Sequence, residues 1–92
     1  MGAVSLSDFK KYFKHEGDVA EVFLISPSSM DSADTVDLTS LLDGRSLIDA
    51  KAFDQTTGDE VTITVDMSTD IATVDAAGST TDHTYTVHIW IK

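Results

Sequence analysis

The chain has 92 residues, no cysteine and a formal net charge of −10, with sixteen carboxylates against six lysine and arginine residues. A chain of this length forms one domain with a small core, and without cysteine it has no disulfide framework and no thiolate metal site. The negative charge repels phosphates and anionic headgroups, so we expect neither a nucleic acid nor a membrane among its partners.

Charge divides the chain into two parts. Residues 1–16 hold three lysines and two carboxylates, whereas residues 17–92 hold three basic and fourteen acidic residues. We therefore predict an N-terminal arm over residues 1–17 and a β-domain over residues 18–92. The first residues lack the regions of a secretion signal, and no run reaches the roughly 18 apolar residues of a membrane span, so we expect a soluble protein.

The N-terminal arm is predicted to form a short amphipathic helix. Ser7 is a fair N-cap, Phe9, Tyr12 and Phe13 follow at the helical spacing i, i+3, i+4, and Gly17 is a plausible stop. Because about ten residues are too few for a stable isolated helix, the arm must pack on something. Its aromatic face either caps the core or docks on another subunit.

If the arm docks, its lysines present a cationic surface to an acidic neighbour. The predicted partner-binding residues of the arm are Phe9, Lys10, Lys11, Tyr12, Phe13 and Lys14.

Period-2 alternation and turn residues predict six strands beyond Gly17. They cover residues 19–25, 35–38, 46–53, 60–66, 71–76 and 83–91, with loops over 28–34 and 78–82. Gly58 supplies the positive φ that a hairpin loop before residue 60 needs. Such spacing, without βαβ alternation, predicts a mostly β fold: a small antiparallel β-sandwich or barrel of about six strands with a short N-terminal helical segment.

The last strand alternates most clearly. Tyr85, Val87, Ile89 and Ile91 share one face, and Trp90 lies on the other. If the first face is the core, Trp90 is either exposed in an interface, as a further partner-binding residue, or buried beneath the N-terminal arm.

The three histidines do not form a metal site by their spacing. His15, His83 and His88 are scattered, and on one strand His83 and His88, five residues apart, point to opposite faces. No glycine-rich phosphate loop and no G-x-S-x-G motif is present. We therefore expect a non-enzymatic protein without catalytic residues, cofactor or metal.

The carboxylates are abundant enough to be considered as calcium ligands. The two groups are Asp31, Asp34 and Asp37, and Asp54, Asp59 and Glu60. Neither follows the Asp-x-Asp-x-Asp-Gly order of a loop that wraps one ion. We expect solvated loop and turn residues instead.

Five short segments in the C-terminal two thirds of the chain form a recognisable combination. They are Asp34-Thr35-Val36-Asp37-Leu38, Gly44-Arg45, Thr57-Gly58-Asp59-Glu60-Val61-Thr62-Ile63, Gly78-Ser79-Thr80 and Tyr85-Thr86-Val87. In this combination, over about residues 34–91, the chain resembles small all-β virion proteins encoded beside capsid genes in tailed viruses. The basic aromatic N-terminal segment departs from that pattern.

The resemblance implies a virion structural protein that decorates or cements the capsid exterior. It would bind the major capsid protein at many equivalent sites, with a homo-oligomer on the shell as a further expectation. Its location would be the capsid surface, after assembly in the host cytoplasm. Two alternatives stay open: a tail or head-to-tail connector subunit that forms rings, and a small carbohydrate-binding module with exposed aromatic platforms.

Overall fold

The protein is mostly β, as the sequence predicts, but its described residues form eight strands rather than six. The computed structural model describes residues 2–75 and 81–92. Its strands are β1 (Ala3–Val4), β2 (Lys10–Glu16), β3 (Val19–Ile25), β4 (Asp34–Asp37), β5 (Leu47–Asp54), β6 (Glu60–Asp66), β7 (Ile71–Asp75) and β8 (Tyr85–Ile91). A 3₁₀ turn covers Leu6–Asp8, and one short helix, α1, covers Thr39–Leu42.

All eight strands belong to one curled sheet instead of the two packed sheets of a sandwich. Their order is β1-β4-β7-β6-β5-β8-β3-β2. Every pairing is antiparallel except that of β1 with β4. The curvature lets a single sheet bury one face on itself, and that concave face holds the core.

The alternation predicted for the last strand is confirmed. Tyr85, Val87, Ile89 and Ile91 are buried in the core, whereas Trp90 is only partly buried on the other face. β8 lies between β5 and β3 in the sheet. The final strand is therefore central to the fold.

The helix predicted for the N-terminal arm is wrong. Residues Lys10–Glu16 form β2, which pairs along its whole length with β3. The two strands are joined by a two-residue turn in which Gly17 has a φ of 60°, as a type II′ hairpin requires at its first central position. Because the tight turn brings this segment beside the apolar strand β3, all seven of its residues pair with that strand. A helix of about ten residues is not stable alone, so it is less favourable than this pairing. The boundary between a predicted arm (residues 1–17) and a predicted β-domain (residues 18–92) falls in this turn and stays a prediction.

The hairpin predicted around Gly58 is confirmed. β5 and β6 pair antiparallel, and Gly58 has a φ of 82°. The pairing joins only Ala52 with Val61 and Phe53 with Glu60, so the two strands diverge beyond it. A shallow depression of about 400 Å³ lies where they separate.

Two predicted loops differ in how far the structure describes them. In the loop over residues 28–34, Met30 is fully buried and forms an isolated bridge with His83. In the loop predicted over 78–82, residues 78–80 lie outside the described residues, as does residue 76 at the end of the predicted strand 71–76.

Within the described residues, no helix is long and apolar enough to cross a membrane.

Candidate interaction surface

The convex face of β2, β3, β8 and β5 carries a cluster of aromatic side chains. Residues directly opposite each other on antiparallel strands share a face of the sheet. The register places Tyr12 opposite Phe23, Phe23 opposite His88, and His88 opposite Lys51. Trp90 lies two residues from His88 on the same face. We call Tyr12, Phe23, His88 and Trp90 the outer aromatic face.

Three of these rings are in direct contact. The His88 and Trp90 rings stack with their centroids 4.0 Å apart. The Phe23 and His88 rings pack edge to face, with their centroids 5.5 Å apart. The Trp90 indole Nε1 donates a hydrogen bond of 2.8 Å to Glu21 Oε1 on β3. Stacking and this hydrogen bond hold the rings in fixed orientations, which lowers the entropy that a partner would have to remove on binding.

Exposure rises from the centre of the cluster towards β2. Trp90 and His88 are partly buried, whereas 37% of Phe23 and 56% of Tyr12 are exposed. A rigid, half-buried centre with large exposed rings beside it is typical of the core of a protein–protein contact.

Charge also separates the two halves of the sheet. Strands β2, β3, β5 and β8 together carry four lysines and four carboxylates, so that half is neutral, and the rest of the chain carries the whole charge of −10. The charged residues of the neutral half are Lys10, Lys11, Lys14, Lys51, Glu16, Glu21, Asp49 and Asp54. Of the two parts, the neutral half can approach an acidic partner with the weaker repulsion.

Strand β2 is an exposed edge of the sheet. Each of its seven residues is exposed, and within the described residues it pairs with β3 alone. An unpaired row of backbone N–H and C=O groups is a template for pairing with another strand.

The predicted partner-binding residues are divided by the structure among three places. Lys10, Tyr12, Lys14 and Trp90 lie on the convex face. Lys11 and Phe13 lie on the opposite face of β2, and Phe13 is 56% exposed there. Phe9 is only 4% exposed and belongs to the core. Of the three aromatic residues of the arm, it alone packs on the core as the first alternative expected.

Sequence reasoning missed Phe23 and Glu21 as members of this surface. The signal was present in the alternation of Val19–Ile25, in which Ala20, Val22 and Leu24 are buried and the residues between them are not. What the pattern could not show is that β2 lies beside β3, because the segment over Lys10–Glu16 was assigned to a helix.

A second polar feature that the sequence did not indicate is a pair formed by Asp54 and His83. Asp54 is 2% exposed, and its Oδ2 lies 2.7 Å from His83 Nδ1. Its Oδ1 accepts hydrogen bonds from the backbone amides of Thr56 and Thr57. Burial raises the pKa of the Asp54 carboxyl, but His83 and these two amides together hold the pKa below its ordinary value.

The Asp54–His83 pair fixes the β5–β6 loop to the chain that enters β8. A histidine held by a carboxylate is also one half of a general-base arrangement. Within the described residues, however, the His83 ring makes its hydrogen bond to Asp54, and no serine or threonine hydroxyl is hydrogen-bonded to it. The geometry therefore indicates a structural tie.

Three carboxylates that end strands share one arrangement. Oδ1 of Asp37, Asp54 and Asp66 each accepts a hydrogen bond of 2.9 Å from the amide two residues later. Hydrogen bonds from the hydroxyl and then the amide of Thr39 hold the pKa of Asp37 below its ordinary value, and those from the hydroxyl and then the amide of Ser68 do the same for the pKa of Asp66. The acidic residues act here as turn formers. Within residues 2–75 and 81–92, no three His, Asp or Glu side chains gather closely enough to hold a metal ion.

A scan against protein-family models, a search of curated proteins and a search of solved structures found no significant match to this chain.

Proposed function

We propose that this protein is a non-enzymatic structural subunit that binds repeated copies of a larger protein through its outer aromatic face. The proposal adopts the resemblance to small virion proteins: the partner is a major capsid protein, and the role is decoration or cementing of the capsid exterior. The observation that carries it is the position of the aromatic cluster on the neutral half of an otherwise acidic molecule.

The charge distribution supports one orientation on such a shell. The neutral half would face the capsid, where Tyr12, Phe23 and Trp90 provide apolar contact and Lys10 and Lys14 meet carboxylates. The acidic remainder would face solvent. Many copies on one shell turn a modest affinity for each contact into a strongly reinforced assembly.

Site-specific photo-cross-linking tests the proposal in the full chain. A photoreactive phenylalanine analogue replaces Tyr12 in one sample and Met67 in another, and cross-linked proteins are recovered from native lysate and identified by mass spectrometry. Met67 is a matched control because it is also 56% exposed but follows β6 in the acidic half. We expect a capsid subunit cross-linked from position 12 and absent from position 67.

Other products would contradict the proposal in distinguishable ways. Cross-links to copies of this chain alone, in closed rings, would favour the connector alternative. Failure to cross-link any protein, together with quenching of Trp90 fluorescence by a glycan, would favour the carbohydrate-binding alternative.

Substitutions on the same face measure its contribution to the affinity. Because aromatic anchors carry much of the binding free energy, we expect Tyr12→Ala and Phe23→Ala each to weaken binding to the recovered capsid protein about tenfold. Met67→Ala should leave the affinity unchanged. Equal affinities for all three variants, measured by surface plasmon resonance, would show that the outer aromatic face is not the contact.

A further inference from the structure

The open edge of β2 presents a defined set of backbone groups. The type II′ turn at Gly17 joins the carbonyl of Glu16 to the amide of Val19. In an antiparallel pair, residues alternate between those bonded to the neighbouring strand and those whose N–H and C=O point away from it. The groups of Lys11, Phe13 and His15 therefore point outward, to the free edge.

A second antiparallel strand can bond to this edge only through those outward residues. When that strand is β2 of another copy, the pairing is symmetric about a two-fold axis. Placing the axis at Phe13 sets Phe13 opposite its own copy and Lys11 opposite His15, so all outward residues face one another. A shift by one residue would place outward groups opposite inward ones and break the hydrogen bonds.

Side-chain charge selects the same register. With the axis at Phe13, all seven residues are paired, Lys10 faces Glu16 at both ends, and Tyr12 faces Lys14, which allows a cation–π contact. If one strand is shifted by two residues in one direction, Lys10 lies opposite Lys14 of the other copy. If it is shifted by two residues in the other direction, Lys14 lies opposite Lys14 of the other copy. Both shifts place like charges directly opposite each other, which is unfavourable.

We propose that β2 pairs antiparallel with β2 of a second copy of this chain, with Phe13 on the two-fold axis. The pairing joins two eight-stranded sheets into one and brings the two outer aromatic faces side by side. The occupant is a second copy because the two ends of the strand are complementary in charge: Lys10 of one copy meets Glu16 of the other at each end, beside the ion pair of 3.4 Å that Glu16 forms with Lys14 of its own chain. The backbone pairing does not depend on what the outer aromatic face binds, but Lys10, Tyr12 and Lys14, at the β2 side of that face, also contact the second copy.

A charge exchange between two variants tests this pairing. Lys10→Glu leaves glutamates at both positions 10 and 16, and Glu16→Lys leaves lysines at both, so each variant opposes like charges in its own dimer. An equimolar mixture of the two restores opposite charges at every end. From the typical strength of cross-strand pairs, we expect each variant alone to dimerise about tenfold more weakly than the natural chain, and the mixture to recover most of the affinity.

Sedimentation equilibrium over a wide range of protein concentration measures the four dimerisation constants, those of the natural chain, of each variant and of the mixture. A further variant, Phe13→Pro, removes an outward donor without removing a hydrogen bond to β3 and should abolish the dimer; Phe13→Ala, which keeps that donor, is its control. Circular dichroism establishes that each variant is folded. A natural chain that stays monomeric, or a dimer unaffected by the exchange or by proline at position 13, would overturn the proposal.

Failure here is distinguishable from failure of the proposed function. A chain that stays monomeric and still cross-links to a capsid subunit from position 12 would remove the pairing and leave the capsid contact in place.

Discussion

Asp54 shows at the scale of one residue how this acidic chain uses a buried carboxylate. The side chain is almost fully buried, and its oxygens accept hydrogen bonds from His83, Thr56 and Thr57. A buried charge is stable only when such partners replace water. The two amide bonds close the start of the β5–β6 loop, the His83 bond ties it to the chain that enters β8, and together they offset the cost of burying the charge.

Replacing Asp54 by Asn should lower stability in a pH-dependent way. The folded-state pKa of Asp54 lies below its ordinary value of 3.8, so the unfolded state binds more protons as the pH falls, and the carboxylate stabilises the fold above that value. At pH 7 we expect Asp54→Asn to reduce the free energy of unfolding by about 2 kcal/mol, through loss of charge-assisted hydrogen bonds to a buried group. The difference should shrink as the pH falls through the lowered pKa. Urea denaturation at pH 7 and pH 3 measures both values.

Asp59→Asn is the matched control for this prediction. Asp59 lies in the same loop but is exposed, so its substitution should change the free energy of unfolding little at either pH. If Asp54→Asn destabilised the protein equally at pH 7 and pH 3, the ionised carboxylate would not be the source of the stabilisation.

The prediction of turn residues is confirmed for Asp37 and Asp54, but the prediction that these carboxylates are solvated is wrong for Asp34 and Asp54, which are 6% and 2% exposed. The pattern of Asp followed two residues later by Ser or Thr occurs at Asp37, Asp54, Asp66 and Asp82; the first three form such a turn, whereas the Thr84 amide donates to Thr56 Oγ1 instead. The contact of Asp54 with His83 joins residues 29 positions apart. Local spacing carries no information about such a contact, which depends on β8 lying beside β5.

Among the elements, β2 is the one that local reasoning assigned wrongly. The spacing of Phe9, Tyr12 and Phe13 satisfies a helical face, yet only Phe9 is buried, and the other two lie on opposite faces of a strand. The deciding feature is Gly17, which would also fit a helix stop but is the first residue of a hairpin turn. The sequence of β8 alternates over seven residues and predicts a strand correctly, although Thr86 on its outer face is buried as well.

The hairpin predicts an alternating pattern of amide protection along β2. Amides of Lys10, Tyr12, Lys14 and Glu16 face β3, whereas those of Lys11, Phe13 and His15 face the free edge. In dilute monomer, hydrogen exchange followed by NMR should be slow for the first group and fast for the second. Gly17→Ala should speed exchange of the first group, because the left-handed φ of 60° strains a residue that has a Cβ.

Asp18→Ala, at the other turn position, is the control for Gly17→Ala. Asp18 does not have a positive φ, so its substitution should leave the protection of β2 largely intact. Slow exchange at Lys11, Phe13 and His15 in a monomer would mean that the edge is covered, and equal exchange in all seven amides would contradict the hairpin register.

At the scale of the whole molecule, the sequence predicted the class of fold but not its layering. Alternating strands separated by turns specify β structure equally well in a sandwich, a barrel or one curled sheet. The choice depends on which strands pair, and here β5 and β6 pair at only two positions before they diverge. The separation of charge is likewise hidden in the sequence, because β2, β3, β5 and β8 are brought together from distant parts of the chain.

Concentration of the net charge outside these four strands predicts a position-dependent response to salt. Carboxylates that repel one another destabilise the compact state, and salt screens them over about 3 Å at 1 M against about 30 Å at 0.01 M. We expect the thermal unfolding midpoint to rise by several degrees between these salt concentrations.

Asp59→Lys, in the acidic half, should raise the midpoint in low salt and have little effect in 1 M salt. Glu16→Lys changes the net charge by the same amount in the neutral half, where it also removes the ion pair of Glu16 with Lys14, and should raise the midpoint less. Equal shifts for the two variants, followed by calorimetry of monomeric samples, would show that the total charge matters and its distribution does not, and the argument for a neutral binding half would lose its electrostatic basis.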